Sequence, residues 1–226
     1  MATIKYYIGA IILLCVSMSA CTKYGYIDGG LSKGEHDCTM WEYFKTDSYN
    51  WDSTMLMIER AGLKSLFDGT GEHEQITFFG VTNLSIRRFI LNHNTENGLT
   101  KDDPEYWNAV SDIPVEKCQD IIEKLVAPRR LMVNDVPRGT RKLRGGGVGS
   151  EYVQDGGMDC PCIRGSLFVW TQKGDYGGVK EGGGYVLYIA GQSRAGLPND
   201  QIASGDIQTN NGVVHSLNYD FRFDNF

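Results

Sequence analysis

The chain is poor in histidine and proline, and it lacks a long hydrophobic run. Four histidines and six prolines occur in 226 residues, and the histidines are scattered without the spacing of a helical metal-binding face. The apolar run over residues 6–16 is shorter than the roughly 20 residues that a membrane-spanning helix needs. With 22 basic against 28 acidic side chains, the net charge is −6, which argues against a nucleic-acid partner. We therefore expect no metal site and no nucleic-acid binding.

The sequence also lacks the common catalytic motifs. It contains no Gly-x-Ser-x-Gly elbow, no His-Glu-x-x-His pair and no phosphate-binding loop that ends in Gly-Lys-Ser or Gly-Lys-Thr. The glycine-rich residues 145–150 have neither a long apolar strand before them nor a helix after them. Neighbouring carboxylates at Asp102, Asp103 and Glu105 leave a glycan hydrolase open, although such enzymes hold two carboxylates about 5–10 Å apart across a cleft. We expect no catalytic residue and no cofactor.

What is present is an ordinary globular composition, with 41% hydrophobic and 22% charged residues. The length suits one large domain or two small ones, and because no internal repeat is visible we expect one. Helical periodicity runs over residues 40–68, and Gly69 is placed to end it. Apolar β-type runs at 167–170, 185–189 and 212–215 are separated by glycine clusters. Helices first and strands later predict an α+β fold.

The first twenty residues have the pattern of an export signal. Lys5 precedes the apolar run 6–16, and small residues lead directly to a cysteine in Met18-Ser19-Ala20-Cys21. This motif resembles a bacterial lipobox, which predicts removal of residues 1–20 and attachment of lipid to the Cys21 thiol. Two or three acyl chains would anchor the protein permanently, since each buried methylene contributes roughly 0.8 kcal/mol. The alternative is cleavage by the ordinary secretory peptidase, which would leave Cys21 unmodified.

Residues 21–38 mix glycines with charges and show little periodicity, so we expect a lipidated tether that leads into a domain over residues 39–226. Thr22, rather than aspartate, follows the cysteine. In enterobacterial sorting this predicts delivery to the outer membrane of a Gram-negative bacterium, and we expect exposure at the cell surface.

Four further cysteines are expected to lie in an oxidising compartment: Cys38, Cys118, Cys160 and Cys162. An even number there favours disulfides, with three possible pairings. Direct closure of Cys160 onto Cys162 is disfavoured, because the loop is very short and strained. A metal site built on this pair fits poorly, since zinc sites space their cysteines by two to four residues. We expect disulfides or free buried thiols.

Three stretches, in the same order along the chain, resemble signatures of the fasciclin domain, an extracellular α+β adhesion-type module. Residues 58–63 resemble that family's early Ala-Gly-Leu segment, and residues 76–83 resemble its strand-and-turn signature. Residues 207–215 are similar to its closing signature, in which an Asn-Gly turn precedes a strand. Phe79-Gly80 stands where the family has Ala-Pro, and the family's integrin-linked Tyr-His pair is absent near Glu123-Lys124. The resemblance implies a single fasciclin-like domain, as in lipid-anchored fasciclin-like lipoproteins of Bacteroides-type bacteria.

Two groups of side chains are candidates for ligand binding. A basic cluster within residues 129–144 of an otherwise acidic chain suits anionic glycans or phospholipid headgroups, and the alternative is a solvated hairpin. Aromatic residues among the later glycines suit stacking on sugar rings, and the alternative is core packing. The candidates are Arg138, Arg141, Lys142, Arg144, Trp170 and Tyr176.

These patterns predict a membrane-anchored, non-catalytic binding or adhesion module that recognises a protein or a glycan outside the cytoplasm. Its expected partners are the membrane, through the N-terminal lipid, and another envelope protein or a polysaccharide. An accessory lipoprotein of an outer-membrane glycan-capture system is the alternative, and a glycan hydrolase is the third interpretation.

Overall fold

A computed structural model describes residues 34–144, 151–191 and 200–223, with the backbone alone at 141–144, 151–154 and 200. The fold mixes helices and strands, and the expected distribution is confirmed, since the described α-helices precede residue 125 and most strands follow it. The helices are α1 (Met40–Thr46), α2 (Ser48–Arg60), α3 (Lys64–Asp68), α4 (Asn83–Glu96) and α5 (Val115–Lys124). The strands are β1 (Ile76–Gly80), β2 (Val126–Ala127), β3 (Gly139–Arg144), β4 (Glu151–Gly156), β5 (Met158–Pro161), β6 (Ser166–Lys173), β7 (Tyr185–Ala190), β8 (Asp200–Thr209) and β9 (Gly212–Leu217).

Local sequence explains where the first helices begin and end. The Thr39 side chain accepts a hydrogen bond from the Glu42 amide, and the Glu42 carboxylate accepts one from the Thr39 amide, so a capping box starts α1. Gly69, at φ 78°, ends α3 as expected. The apolar periodicity of residues 40–68 is divided among three helices, because the backbone leaves the helical region at Asp47 and again at Gly62.

The main sheet has seven strands in the order β2-β1-β9-β8-β7-β6-β5, and β3 and β4 form a separate hairpin. β1 lies parallel to β9, with Ile76 opposite Gly212 and Phe79 opposite His215, and the other neighbouring pairs in the sheet are antiparallel. Every residue of β1 is buried, as expected for a strand covered on both faces. The strand-and-turn signature and the closing signature are therefore neighbours in the sheet.

The aromatic core explains why Gly80 differs from the proline of the fasciclin signature. Phe44 stacks on Trp51 with ring centroids 4.8 Å apart, and Phe67 meets Phe78 edge to face at 5.0 Å. A Cβ added at Gly80 would lie 2.7 Å from the Trp51 ring, closer than real Cβ contacts come. Glycine is therefore required where the fasciclin signature has proline.

The last residues of the expected tether belong to the folded unit. The His36 amide donates to the Gln208 carbonyl at 2.9 Å, and the Gln208 amide donates to the Gly34 carbonyl at 2.7 Å. Glu35 and His36 thus pair with the end of β8, so residues that were assigned to the tether are part of the folded unit. Residues 1–33, which include the expected signal peptide and Cys21, lie outside the described residues, as do the glycine-rich residues 145–150. Within the described ranges, none of the helices is both long enough and apolar enough to span a membrane.

Candidate functional site

A polar cleft lies where the β3–β4 hairpin leaves the edge of the main sheet. The Thr171 amide of β6 donates to the Pro137 carbonyl at 3.1 Å, and the Gly157 amide donates to the Arg138 carbonyl at 3.1 Å. These bonds hold the base of the hairpin beside the end of β6. The cleft has a volume of about 340 Å³, and its lining is Arg138, Gly139, Thr140, Asp155, Gly156, Thr171, Gln172, Lys173 and Glu181.

The hairpin can leave the sheet here because two glycines in succession adopt positive φ. Gly156 has φ 71° and Gly157 has φ 82°, in the left-handed region that side chains disfavour. A Cβ at Gly156 would also overlap the Arg138 carbonyl oxygen, and one at Gly157 would press on the Phe168 ring. The local sequence Gly156-Gly157 therefore sets the direction of β3 and the mouth of the cleft.

Two cations of the cleft lie over one aromatic ring. Lys173 ends β6 and pairs in register with Tyr185, the first residue of β7. The Lys173 ammonium is 4.7 Å from the centroid of the Tyr185 ring, and the Arg138 guanidinium carbon is 6.0 Å from it. Because the Tyr185 side chain is 46% exposed, this arrangement is open to a ligand.

An ion pair fixes the remaining side of the cleft. Arg138 donates to the Glu181 carboxylate at 2.7 Å, and about half of each side chain is exposed. This hydrogen bond and the positive charge of Arg138 lower the pKa of Glu181. The same hydrogen bond and the negative charge of Glu181 raise the pKa of Arg138. Glu181 has a positive φ of 55°, and its amide donates to the Asp175 carboxylate at 2.8 Å, which holds the loop in this conformation.

The structure brings only some of the candidate binding residues together. Arg138 lines the cleft, and Arg141, Lys142 and Arg144 follow it along β3, opposite β4. Tyr176 is 76% exposed in the loop between β6 and β7. Lys173 and Glu181 were not among the site residues predicted from the sequence. The antiparallel register of Lys173 with Tyr185 is the signal that could have found the lysine.

Trp170 is not available to a ligand. Its side chain is fully buried and stacks on Tyr188 with centroids 5.5 Å apart and planes 13° apart. Phe168 and Ala190 complete this small cluster. Both faces of β6 are buried at this point, so the core-packing alternative describes Trp170, and it does not form a sugar platform with Tyr176.

The described cysteines, Cys38, Cys118, Cys160 and Cys162, are free thiols, so the structure contains none of the disulfides expected among them. Cys38 lies beside the β8–β9 turn, where its carbonyl accepts from Asn210. Cys118 is buried on α5, where burial raises the pKa of its thiol. Each of these two cysteines is therefore held in a separate part of the fold. The described residues also contain no cluster of three or more His, Cys, Asp or Glu side chains suited to a metal ion.

One of the carboxylates considered for hydrolysis, that of Asp103, is hydrogen-bonded within its own turn. The Asp103 carboxylate accepts from the Thr100 amide at 2.7 Å and from the Thr100 hydroxyl at 2.8 Å. These hydrogen bonds lower the pKa of Asp103. Asp103 is thus an ionised turn-capping group, whereas a general acid needs a raised pKa.

A second cavity, of about 610 Å³, lies between α2, α4 and the segment before α5. Its lining includes the exposed leucines Leu56, Leu84 and Leu91 together with Arg87 and Lys101. None of the candidate binding residues reaches it.

Comparison with known proteins gives a distant likeness. No known family profile matches the sequence, and no curated protein matches it. Among solved structures, the fold is similar to a FAS1 domain pair from the insect cell adhesion molecule fasciclin I, with 13% sequence identity and a TM-score of 0.37. The similarity covers 80% of this chain and 44% of that chain, so this chain spans less than half the length of the structure it matches.

Proposed function

We propose that this chain is a non-catalytic binding module of fasciclin type, held outside the cytoplasm by a lipid on Cys21, and that its polar cleft binds an acidic glycan. The observation that carries the ligand class is the position of two cations, Arg138 and Lys173, against the exposed ring of Tyr185. Cations beside an exposed aromatic ring suit a ligand that combines negative charge with an apolar sugar face.

The two cations are already positioned before a ligand arrives. Contact with the Tyr185 ring limits the conformations of both side chains, which reduces the ordering cost of binding. The ion pair between Arg138 and Glu181 is half exposed, and exposed pairs contribute little to stability. A carboxylate or sulfate group of a ligand can therefore replace Glu181 at the guanidinium.

The rest of the lining suits a polymer of sugars. Thr140, Thr171 and Gln172 add groups that both donate and accept hydrogen bonds, which matches the hydroxyls of a glycan. Arg141, Lys142 and Arg144 extend the positive charge along β3 away from the cleft. A chain of several acidic sugar units would thus find cations beyond the cleft itself.

Two sequence features support the fasciclin type and the anchor. The closing signature and the strand-and-turn signature form neighbouring strands, and the lipobox-like motif at residues 18–21 precedes the folded unit. We propose the outer membrane of a Gram-negative bacterium, with surface exposure, as the location. A role as an accessory lipoprotein of a glycan-capture system would use the same cleft, and co-purification with a transporter would support it. A glycan hydrolase is disfavoured, because Asp103 is engaged in its turn.

Binding of the purified protein to polysaccharides tests the ligand class. We expect affinity for polygalacturonate or heparin, weakening as salt rises, and none for neutral dextran, because salt screens exposed charges. The double variant Arg138→Gln/Lys173→Gln should lose about tenfold or more in affinity, since charge-assisted hydrogen bonds are about twice as strong as neutral ones.

Arg164→Gln is the matched control for this experiment. Arg164 is exposed to the same degree as Arg138, at 53% against 51%, and it pairs with Glu123 and Asp120 outside the cleft. We expect the control to bind like the unmodified protein. Equal binding of acidic and neutral polymers, or equal losses in both variants, would contradict the proposed cleft.

A further inference from the structure

The segment after β5 meets the opposite edge of the main sheet. β5 and β2 are the two end strands of the sheet, yet the Ile163 amide donates to the Val126 carbonyl of β2 at 2.9 Å. The next amide, of Arg164, donates to the Glu123 carbonyl at the end of α5 at 3.1 Å. The sheet therefore curls until its edges touch, and we call this contact the seam.

Two thiols lie together in the seam. Cys160 belongs to β5 and is fully buried, and Cys162 follows Pro161 and is 9% exposed. The Cys162 thiol donates to the Cys160 carbonyl oxygen at 3.5 Å, so both cysteines lie in one turn. The turn is closed by the Cys162 amide, which donates to the Gly165 carbonyl at 3.0 Å. The local fold thus overcomes part of the separation that makes closure of a Cys-x-Cys loop difficult.

The two thiols differ in acidity. The hydrogen bond from Cys162, and then the guanidinium of Arg129 just after β2, lower the pKa of Cys160 to about 7. The same thiol–thiol contact, with burial, raises the pKa of Cys162. The other nearby arginine, Arg164, is paired with Glu123 and Asp120. At neutral pH Cys160 is therefore partly ionised beside the protonated Cys162 thiol, and a thiolate next to a thiol is the arrangement that thiol–disulfide exchange requires.

We infer that Cys160 and Cys162 form a thiol–disulfide exchange site, which reacts with an external disulfide and closes to a disulfide within the Cys-Pro-Cys motif. The Cys160 thiolate attacks one sulfur of the external disulfide, breaks its S–S bond and releases one thiolate. The Cys162 thiol then gives its proton to the released thiolate and attacks the Cys160 sulfur of the mixed disulfide, which releases the second thiolate. Both cysteines are oxidised by two electrons in total, and the external disulfide is reduced to two thiols.

The position of the motif favours exchange over a permanent structural bridge. A disulfide closed across one intervening residue is strained, and strained disulfides are reduced readily. Because both thiols are buried, the reaction requires local opening of the seam, and β5 presents only four residues paired with β6 to separate. A disulfide partner can therefore reach thiols that are buried in the closed seam. This site is independent of the polar cleft and of its proposed ligand.

Trypsin digestion separates the relevant cysteines, which makes the test direct. Cys160 and Cys162 fall in one peptide, residues 145–164, whereas Cys118 and Cys38 fall in peptides of their own. The reduced full chain is incubated with glutathione disulfide, and the reaction is quenched with acid. Remaining thiols are alkylated, and the tryptic peptides are analysed by mass spectrometry. We expect peptide 145–164 to lose two hydrogen atoms and to resist alkylation, while the Cys118 peptide stays fully alkylated.

Variants distinguish the two steps. Cys162→Ser should stop the reaction at a glutathione adduct on Cys160, because the second thiol is missing. Arg129→Gln should slow the reaction several-fold at neutral pH and move its pH profile to higher pH, because the Cys160 thiolate loses a nearby positive charge. The alkylation result for the unmodified protein tests the proposal even if a variant fails to fold. A fully alkylated dithiol in peptide 145–164, under conditions that modify Cys38, would overturn it, as would glutathione adducts that never close to a disulfide.

Discussion

Asn211 joins three separate parts of the fold through its buried side chain and its backbone. Its side-chain oxygen accepts from the Met40 amide at 2.7 Å, and its side-chain amide donates to the Phe67 carbonyl at 2.9 Å. Its own carbonyl accepts from the Ile76 amide at 3.0 Å. The start of α1, the end of α3 and the start of β1 are therefore positioned by one residue of the β8–β9 turn.

Replacement of Asn211 by alanine should destabilise the protein by about 3 kcal/mol, because two buried backbone groups, at Met40 and Phe67, would lose their partners. Chemical denaturation monitored by circular dichroism measures the free energy of unfolding. Asn210→Ala is the control, since its side chain is exposed and donates only at 3.3 Å to Asp37; we expect a change under about 0.5 kcal/mol. Similar losses in both variants would contradict this role of Asn211.

At the residue scale, the sequence predicted a turn at Asn211-Gly212, whereas the structure places the turn at residues 210–211 and makes Gly212 the first residue of β9. The hydrogen bonds of the Asn211 side chain were not predicted. The dipeptide is a local turn signal, whereas the partners of Asn211 lie 171 and 144 residues away. The role of Trp170, in ligand binding or in core packing, was left open because local sequence does not show distant contacts. Its alternation along β6 says which neighbours share its face, but not whether that face is covered.

At the scale of elements, His215 of β9 links three segments of the chain. Its Nε2 donates to the Leu131 carbonyl at 2.9 Å, and its Nδ1 accepts from the Asp206 amide at 3.2 Å, at the irregular part of β8. Both bonds require the neutral ring with its proton on Nε2. Burial, opposed by the bond to Leu131 and by the Asp206 charge, lowers the pKa of His215.

Stability should therefore fall as the pH drops below the ordinary histidine pKa of 6.5. Below that pH the unfolded chain binds a proton that the buried ring does not accept, until the lowered folded pKa is reached. Denaturation at a series of pH values from neutral to about pH 5 should show a slope of at most about 1.4 kcal/mol per pH unit, the limit for one proton. The stabilising contribution of the neutral His215 ring is fully present above pH 6.5.

His215→Gln should lower stability throughout and remove this slope, because glutamine does not titrate. His73→Gln, in the loop before β1, is the control and should keep the slope of the unmodified protein. An unchanged slope in His215→Gln would assign the pH dependence to other groups.

The positions of the helices and strands along the sequence were predicted better than the pairing of the strands in the sheet. Apolar runs and glycine boundaries marked β6, β7 and β9, and Gly69 marked the end of α3. The parallel pairing of β1 with β9 was not predictable, because the two strands are separated by the 131 residues 81–211. The division of residues 40–68 into three helices was missed, since periodicity does not register a change of direction at Asp47.

At the scale of the whole molecule, the proposed anchor gives a prediction that does not depend on the fold. Cys21→Ala should move the protein from the membrane fraction to the soluble fraction, because the acyl chains supply the membrane affinity. Cell fractionation with immunoblotting measures this, and protease treatment of intact cells reports surface exposure. Cys38→Ala should stay with the membrane. Retention of Cys21→Ala in the membrane fraction would rule out the lipid anchor, and protection of the unmodified protein until the outer membrane is ruptured would assign it to the periplasm.

The sequence by itself determined the mixed class of the fold, the order of helices and strands, and the end of α3 at Gly69. These features depend on periodicity, capping residues and turns within a few residues of one another. Only the tertiary structure decided the polar cleft and the seam. Arg138 meets Glu181 across 43 residues, and the Cys160–Cys162 pair reaches Arg129 because the sheet curls until β5 and β2 meet. Strand register and sheet curvature result from the packing of the whole core, so no local pattern records them.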